Sequence, residues 1–193
     1  MASGTDSSPN PARRKQIVDA AREIAAARGW SAVTVRAIGS RIGCSAPAIY
    51  QYFKNKDEVL VALAAFGQRL LADSIEQAAD SADGPAKRVR AAMRGLWEFA
   101  VANPELYSVI YGGDGLAAHG PELAPDVLVN AVAKLASKRG GSESPADLAD
   151  RLLASVHGFI GLTLGERFPG GLDRARELSD RIVDDAIRQV GRD

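Results

Sequence analysis

Residues 34–60 read TVRAIGSRIGCSAPAIYQYFKNKDEVL, and the fold is decided there. Thr34 is a good N-cap; Val35, Ile38 and Ile42 follow at helical spacing, and Gly43 ends the run. Ser45 can cap a second short helix, with Pro47 tolerated in its first turn and Ile49 and Phe53 facing inward. Asn55 with Glu58 three residues later has the spacing of a capping box that opens another helix. A helix, a short turn at Gly43-Cys44 and a helix of about nine residues, some 13 Å, have the dimensions of a helix-turn-helix. In that geometry the second helix enters the major groove of DNA while the first crosses the phosphate backbone. An ordinary helical hairpin has the same dimensions. The outward positions of the second helix, Tyr50, Gln51, Tyr52 and Lys54, favour the DNA reading because they can donate to phosphates or bases.

Working outward, nearly every periodic segment has helical spacing, and no run alternates as a strand would. A helix is predicted over Arg13–Gly29, with Ile17, Ala21, Ile24 and Ala25 on one face. The helix opened by Asn55 carries Leu60, Leu63, Leu70 and Leu71 toward Ala79. Asp80–Pro85 breaks the pattern, Ala86–Ala102 resumes it, and Asn103-Pro104 restarts a short helix through Leu106, Tyr107 and Ile110. Residues 112–120 form a glycine-rich loop without the Lys-Ser/Thr pair or preceding strand of a phosphate loop. Pro121–Lys138 is predicted helical, then a Gly-Gly-Ser linker at 140–142, then helices over Pro145–Phe168 and Asp173–Val190. The expected fold is all-α, with about nine helices.

Composition narrows the function. The chain has 193 residues, 46% hydrophobic and 25% charged, which excludes disorder throughout and membrane embedding. The longest uncharged apolar stretch, Leu152–Gly165, falls short of a spanning helix. Residues 1–12 read as a flexible polar tail without a signal-peptide pattern. One cysteine, Cys44, excludes an internal disulfide and suits the cytoplasm, and with only His119 and His157 a structural metal site is not expected. The formal charge of zero hides an asymmetry: residues 1–56 carry +6 and the remainder −6. A small basic segment fits a polyanion, whereas the larger acidic one does something else.

The run from Thr34 to Leu60 closely resembles the TetR/AcrR family of one-component transcriptional regulators, whose pattern is Thr-x-Arg-x-Ile-Ala, Gly-Val-Ser, then Ile/Leu-Tyr-x-His/Tyr-Phe-x-Asn/Ser-Lys-Glu/Asp-x-Leu. The resemblance covers residues 13–60 as a block. Gly39 stands where alanine is usual, Ile42 where alanine often sits, Cys44 where valine is common, and Pro47 in place of the more frequent glycine. Operator preference therefore does not transfer from relatives. The resemblance implies a phosphate-anchoring set of Thr34, Tyr50, Tyr52 and Lys56, and base or groove contacts from Ser45, Ala46, Pro47 and Gln51; Arg36 and Lys54 complete the DNA-contacting set. Chemistry agrees: Gln pairs with adenine N6/N7, Ala or Pro touches a thymine methyl, and Lys places a point charge on a phosphate. The Arg13-Arg14-Lys15 cluster is either a backbone or minor-groove contact or a solvated basic tail.

Beyond residue 80 the chain is similar to the TetR C-terminal type named for a Trp-His-Gly signature, on Leu96-Trp97-Glu98-Phe99-Ala100, Asn103–Tyr107, Tyr111-Gly112 and Leu153–Gly161. His157-Gly158 is kept, and no tryptophan precedes it. This implies a dimerising domain that answers a small molecule. Trp97, Phe99, Tyr107, Ile110, Tyr111, His157 and Phe159 are the candidate pocket, with plain core as the alternative reading. Ala154, Gly158, Gly161 and Gly165 form a stripe of small residues that close approach of another helix would explain; with Leu178, Ile182, Val183, Ala186 and Ile187 they are the candidate dimer interface, with intrachain packing as the alternative. The expected domains are a tail at 1–12, a three-helix DNA-binding domain at 13–59 and a helical effector and dimerisation domain at 60–193. The expected function is a cytoplasmic homodimeric repressor released from a palindromic double-stranded DNA operator by a small molecule. No cofactor, metal, catalytic residue or membrane partner is expected. The rival classes are an effector-independent architectural DNA binder and a helical enzyme.

Overall fold

The computed structural model describes residues 10–111, 126–139 and 143–190. Among them are nine α-helices, one 3-10 turn and no strand. Residues 10–67 and 105–111 form one compact unit; residues 68–104, 126–139 and 143–190 form a second. Residues 1–9 of the tail predicted over 1–12, the glycine-rich loop at 112–120, the first residues of the helix predicted from Pro121 and the 140–142 linker lie outside the described residues.

The first unit begins with α1 (Pro11–Arg28), two residues earlier than expected, because Asn10 accepts from the Ala12 N–H and Pro11 suits a first turn. Ile17, Val18, Ala20, Ala21, Ile24 and Ala25 form its buried face. A 3-10 turn (Trp30–Ala32) that periodicity did not anticipate leads to α2 (Val35–Ile42). The third helix, α3, covers only Ala46–Tyr50, with Tyr52 and Phe53 turning off the Ile49 carbonyl, so the expected nine residues shrink to five. Helix α4 (Lys56–Asp80) opens with the Glu58 N–H donating to Asn55 Oδ1 at 2.9 Å and the Glu58 carboxylate accepting from the Lys54 N–H at 2.8 Å, a capping box displaced by one residue. Its residue Gly67 gives room to α6 (Pro104–Tyr111): a Cβ there would lie 3.1 Å from Ile110.

The second unit contains the rest of α4 with α5 (Pro85–Ala102), α7 (Asp126–Arg139), α8 (Pro145–Leu164) and α9 (Gly171–Gln189). Helix α5 packs on α7, α8 and α9 and crosses α4 closely at Gly95, where a Cβ would meet the Ser74 carbonyl at 2.9 Å. Leu71, Ile75, Val89, Leu96, Leu128, Leu135, Leu153 and Ile160 fill its core. Arg90 pairs with Asp184, and Arg176 with Glu98 at 3.1 Å, tying α9 to α5. Helix α8 stops at Leu164, four residues short of the expected Phe168. Glu166 adopts φ 55, its N–H bonds Thr163 O at 3.0 Å and the Arg167 N–H bonds Leu162 O at 2.8 Å, a Schellman ending with glutamate in the left-handed position. Helix α9 begins two residues earlier than expected, after Gly170 at φ 94. No helix among the described residues is long and apolar enough to cross a membrane, and no group of three His, Cys, Asp or Glu among them could hold a metal.

Candidate nucleic-acid interface

The segment from Thr34 to Lys56 is assembled by local chemistry. Thr34 caps α2, its Oγ1 accepting from the Ala37 N–H at 3.0 Å. Gly43 closes α2 at φ 66, a left-handed conformation that glycine adopts without strain. The Cys44 N–H then bonds Gly39 O at 2.9 Å, and the Cys44 carbonyl comes back so close that a Cβ on Gly39 would lie 2.6 Å from it. Glycine in place of the alanine usual in relatives is thus what this turn requires. Ser45 has the extended backbone of an N-cap, but its hydroxyl makes no capping bond, contrary to its expected role.

The turn fixes which side of α3 is inside. Val33, Ile38, Ile49 and Phe53 are buried. Thr34, Arg36, Ser45, Pro47, Tyr50, Gln51 and Lys54 are exposed, and Ala46, Tyr52 and Lys56 are half-buried. Tyr50 is 53% exposed, a large aromatic ring with little packing role to explain it. Arg36 makes no ion pair among the described residues, whereas Arg41 is taken up by Glu23 of α1, its Nε donating at 2.9 Å. Lys56 donates to the Trp30 carbonyl at 3.0 Å, which leaves two of its three N–H donors for another acceptor. The predicted DNA-contacting residues therefore divide into seven exposed side chains and three held partly in the packing.

One feature here escaped sequence reading. Arg14 of α1 sits 4.0 Å over the Phe53 ring, and its Nη1 donates to the Tyr52 carbonyl at 2.9 Å. Its neighbours stay on their own helix: Arg13 bonds Gln16 at 2.9 Å and Lys15 bonds Asp19 at 2.7 Å. The partners of Arg14 lie 38 residues away, and no local spacing announces them.

The candidate pocket residues divide between the units. In the first, Tyr107 and Ile110 are buried, and the Tyr107 and Tyr111 rings lie 4.9 Å apart at 48°. Burial pushes the Tyr111 phenol up to about 12; burial first, and nearby Tyr111 second, raises Tyr107. In the second, Trp97 and Phe99 are buried on α5, and His157 and Phe159 are half-buried on α8. Burial lowers the His157 pKa from its ordinary value, favouring the neutral imidazole. The Phe159 and Phe168 rings meet tilted at 59°, their centroids 5.5 Å apart. A separate groove of about 510 Å³ lies among α4, α5 and α7, lined by Glu76, Asp80, Arg88, Asp126, Asn130 and Lys134 around Ala72, Ala79, Val127 and Ala131, and by none of the seven candidates.

On α8 the predicted stripe of small residues lies apart from a row of large ones. Leu152 and Val156 are buried and Phe159 and Thr163 half-buried, while Ala154, Gly158, Gly161 and Gly165 are exposed. A Cβ on Gly158 or Gly161 would have no neighbour within 4 Å. On α9, Val183, Ala186 and Ile187 are buried within their own unit, as the intrachain alternative has them, whereas Ile182 is 40% exposed and Leu178 half-buried. Leu162, Leu164 and Leu172 are also exposed.

Comparison with known proteins adds a second line. The family model described as bacterial regulatory proteins, tetR family, matches residues 17–63, and the model described as tetracyclin repressor-like, C-terminal domain, matches residues 89–186. The chain is 30% identical over 173 residues to the uncharacterized HTH-type transcriptional regulator YobS of Bacillus subtilis, covering 88% of each. It is 30% identical over 142 residues to the HTH-type transcriptional activator FasR of Mycolicibacterium smegmatis, covering 70% of this chain and 64% of FasR, less than two thirds of that protein's length. A solved structure of a protein of unknown function from Rhodococcus sp. RHA1 superposes with a TM-score of 0.75 at 22% identity, covering 97% of this chain and all of that one.

Proposed function

Given that this chain belongs to the tetR family of bacterial regulatory proteins, we propose that it is a DNA-binding transcriptional regulator, a homodimeric repressor in the cytoplasm that leaves a palindromic operator when a small molecule binds. The observation that carries the reading is the segment 34–56. Its apolar side is locked by Val33, Ile38, Ile49 and Phe53, while Thr34, Arg36, Ser45, Pro47, Tyr50, Gln51 and Lys54 are exposed. Exposed Gln51, Ser45 and Pro47 suit base edges and thymine methyls; Thr34, Arg36, Tyr50, Lys54 and Lys56 suit phosphate oxygens.

A palindromic operator calls for two reading segments related by a twofold axis. The exposed small stripe of α8 supports the partner surface. Two helical glycines with open space where a Cβ would be cost about 0.5–1 kcal/mol each relative to alanine, and nothing among the described residues offsets this. Ile182, Leu162, Leu164 and Leu172, exposed on α8 and α9, supply the apolar area such a contact would bury. For the effector, half-buried His157 and Phe159 and the 510 Å³ groove offer apolar surface with polar tips. The proposed mechanism is a population shift, in which ligand favours a spacing of the two reading segments that no longer matches successive major grooves.

Selection of protein-bound fragments from genomic DNA tests the reading. An inverted repeat whose half-site centres lie whole helical turns apart is the expected product; fragments enriched no more than random sequence would overturn it. An operator–reporter fusion should fall in output when the chain is expressed. A thermal-shift screen separates a ligand-answering repressor from an architectural binder, since a ligand that binds only the folded chain raises its melting temperature.

A further inference from the structure

We propose that Arg14 is a positioning residue for the reading helix, acting through Phe53 and Tyr52 rather than on a DNA phosphate; this rests on segment 34–56 reading DNA. Helix α3 has five residues, too few to hold a helical shape or direction on its own. At its start it is held by the Gly39–Cys44 turn, and beneath it by Ile49 and Phe53. Its far end runs out through Gln51, Tyr52 and Phe53 before α4 begins at Lys56. The Tyr52 carbonyl in that exit accepts the Arg14 guanidinium at 2.9 Å, and the same guanidinium lies 4.0 Å over the Phe53 ring.

One planar group thus bonds the backbone directly after Gln51 and covers the aromatic ring on which α3 is seated. A guanidinium is built to do both at once: its fork donates in one plane while its face stacks on a ring, whereas an ammonium is a strongly hydrated point charge with no plane to stack. The frame supporting Arg14 is itself tied, since α1 also holds α2 through Glu23 and Arg41. Loss of Arg14 frees the exit of α3, and the Gln51 side chain with it, without removing a charge that touches DNA. Base reading depends on the angle of that exit; attraction to the phosphate backbone does not.

The two roles of an arginine beside DNA give different titrations. Wild-type protein, Arg14→Ala and Arg14→Lys are titrated with the duplex recovered by genomic selection and with a random duplex, across a range of salt, well below their melting temperatures. For Arg14→Ala the expected result is a loss of selected-over-random preference of roughly three- to thirtyfold, the range one hydrogen bond and one cation–π contact support. Random-duplex affinity and the salt slope stay at wild-type values. Arg14→Lys, which keeps the charge and guards against a poorly folded alanine variant, should show the same loss of preference. An equal drop on both duplexes with a slope smaller by about 0.9 for each bound protomer would make Arg14 a phosphate contact and overturn the proposal. Wild-type preference in either variant would overturn it as well. Wild-type protein that shows no preference is a different failure, that of the DNA-reading assignment itself.

Discussion

Replacing Gly39 by alanine probes the turn that aims the reading helix. A Cβ at this position would sit 2.6 Å from the Cys44 carbonyl oxygen, where ordinary contact begins at 3.4 Å, so the turn must open by about 0.8 Å. The obstacle is backbone, and it is tied: the Cys44 N–H donates to Gly39 O at 2.9 Å, and any retreat stretches that bond. Alanine gains about 1 kcal/mol over glycine from helix propensity. Crowding a packed site costs about 1–3 kcal/mol, and weakening the hydrogen bond costs about 1 more. The balance is a loss of about 1–3 kcal/mol, although the substitution installs the residue that relatives carry. Urea unfolding followed through Trp30 fluorescence, in a Trp97→Phe background so that the first unit alone reports, should show a lower midpoint at unchanged slope. A midpoint equal to or above that of the parent would refute the close approach of Cys44.

Alkaline titration tests the tyrosine pair. Folding holds Tyr111 at about 12 against an ordinary 10.0, so the unfolded chain loses its proton first. The stability this contributes is complete below pH 10.0 and falls as pH rises toward about 12, and Tyr111→Phe should make that fall shallower; an unchanged alkaline profile would contradict the burial of the phenol. Gly161→Leu, placed where a Cβ has no neighbour within 4 Å, should leave helicity intact while light scattering reports a weakened dimer and operator affinity collapses. A fully dimeric variant would remove the small stripe from the interface. Glu166→Gly should raise the melting temperature, worth about 0.5–1 kcal/mol, because glycine takes the φ 55 position without the strain glutamate bears; a lower melting temperature would show that the glutamate side chain contributes more than its backbone strain removes.

Sequence made some parts of this molecule legible because their causes are local. Thr34 and Gly43 bound α2 where their side-chain and backbone chemistry places a helix start and stop, and Asn55 with Glu58 opens α4. The small stripe of α8 is legible through periodicity. Other features depend on partners far along the chain. Gly39 reads as a conservative departure from alanine until the Cys44 carbonyl is seen against it, and Arg14 reads as one of three surface cations until it is seen on Phe53. Periodicity also gives a helix face without its angular origin. On α9 the buried row is Ala175, Ser179, Val183, Ala186 and Ile187, so of the five α9 residues in the expected interface set only Leu178 and Ile182 fall beside it. The shortness of α3 had no sequence signal either, since Tyr50–Phe53 have the same apolar spacing in a helix and in the turn observed.

The central claim is that segment 34–56 reads DNA, with different residues holding the backbone and choosing the bases. Titrating Lys56→Ala and Gln51→Ala side by side, on the duplex recovered by selection and on its single-base variants across a range of salt, tests it most directly. Lys56→Ala should weaken binding to every duplex alike and reduce the salt slope by about 0.9 for each phosphate the side chain neutralises. Gln51→Ala should keep the slope and lose discrimination, about 1–3 kcal/mol, at one base position of each half-site. Wild-type affinity, slope and discrimination in both variants would contradict the account.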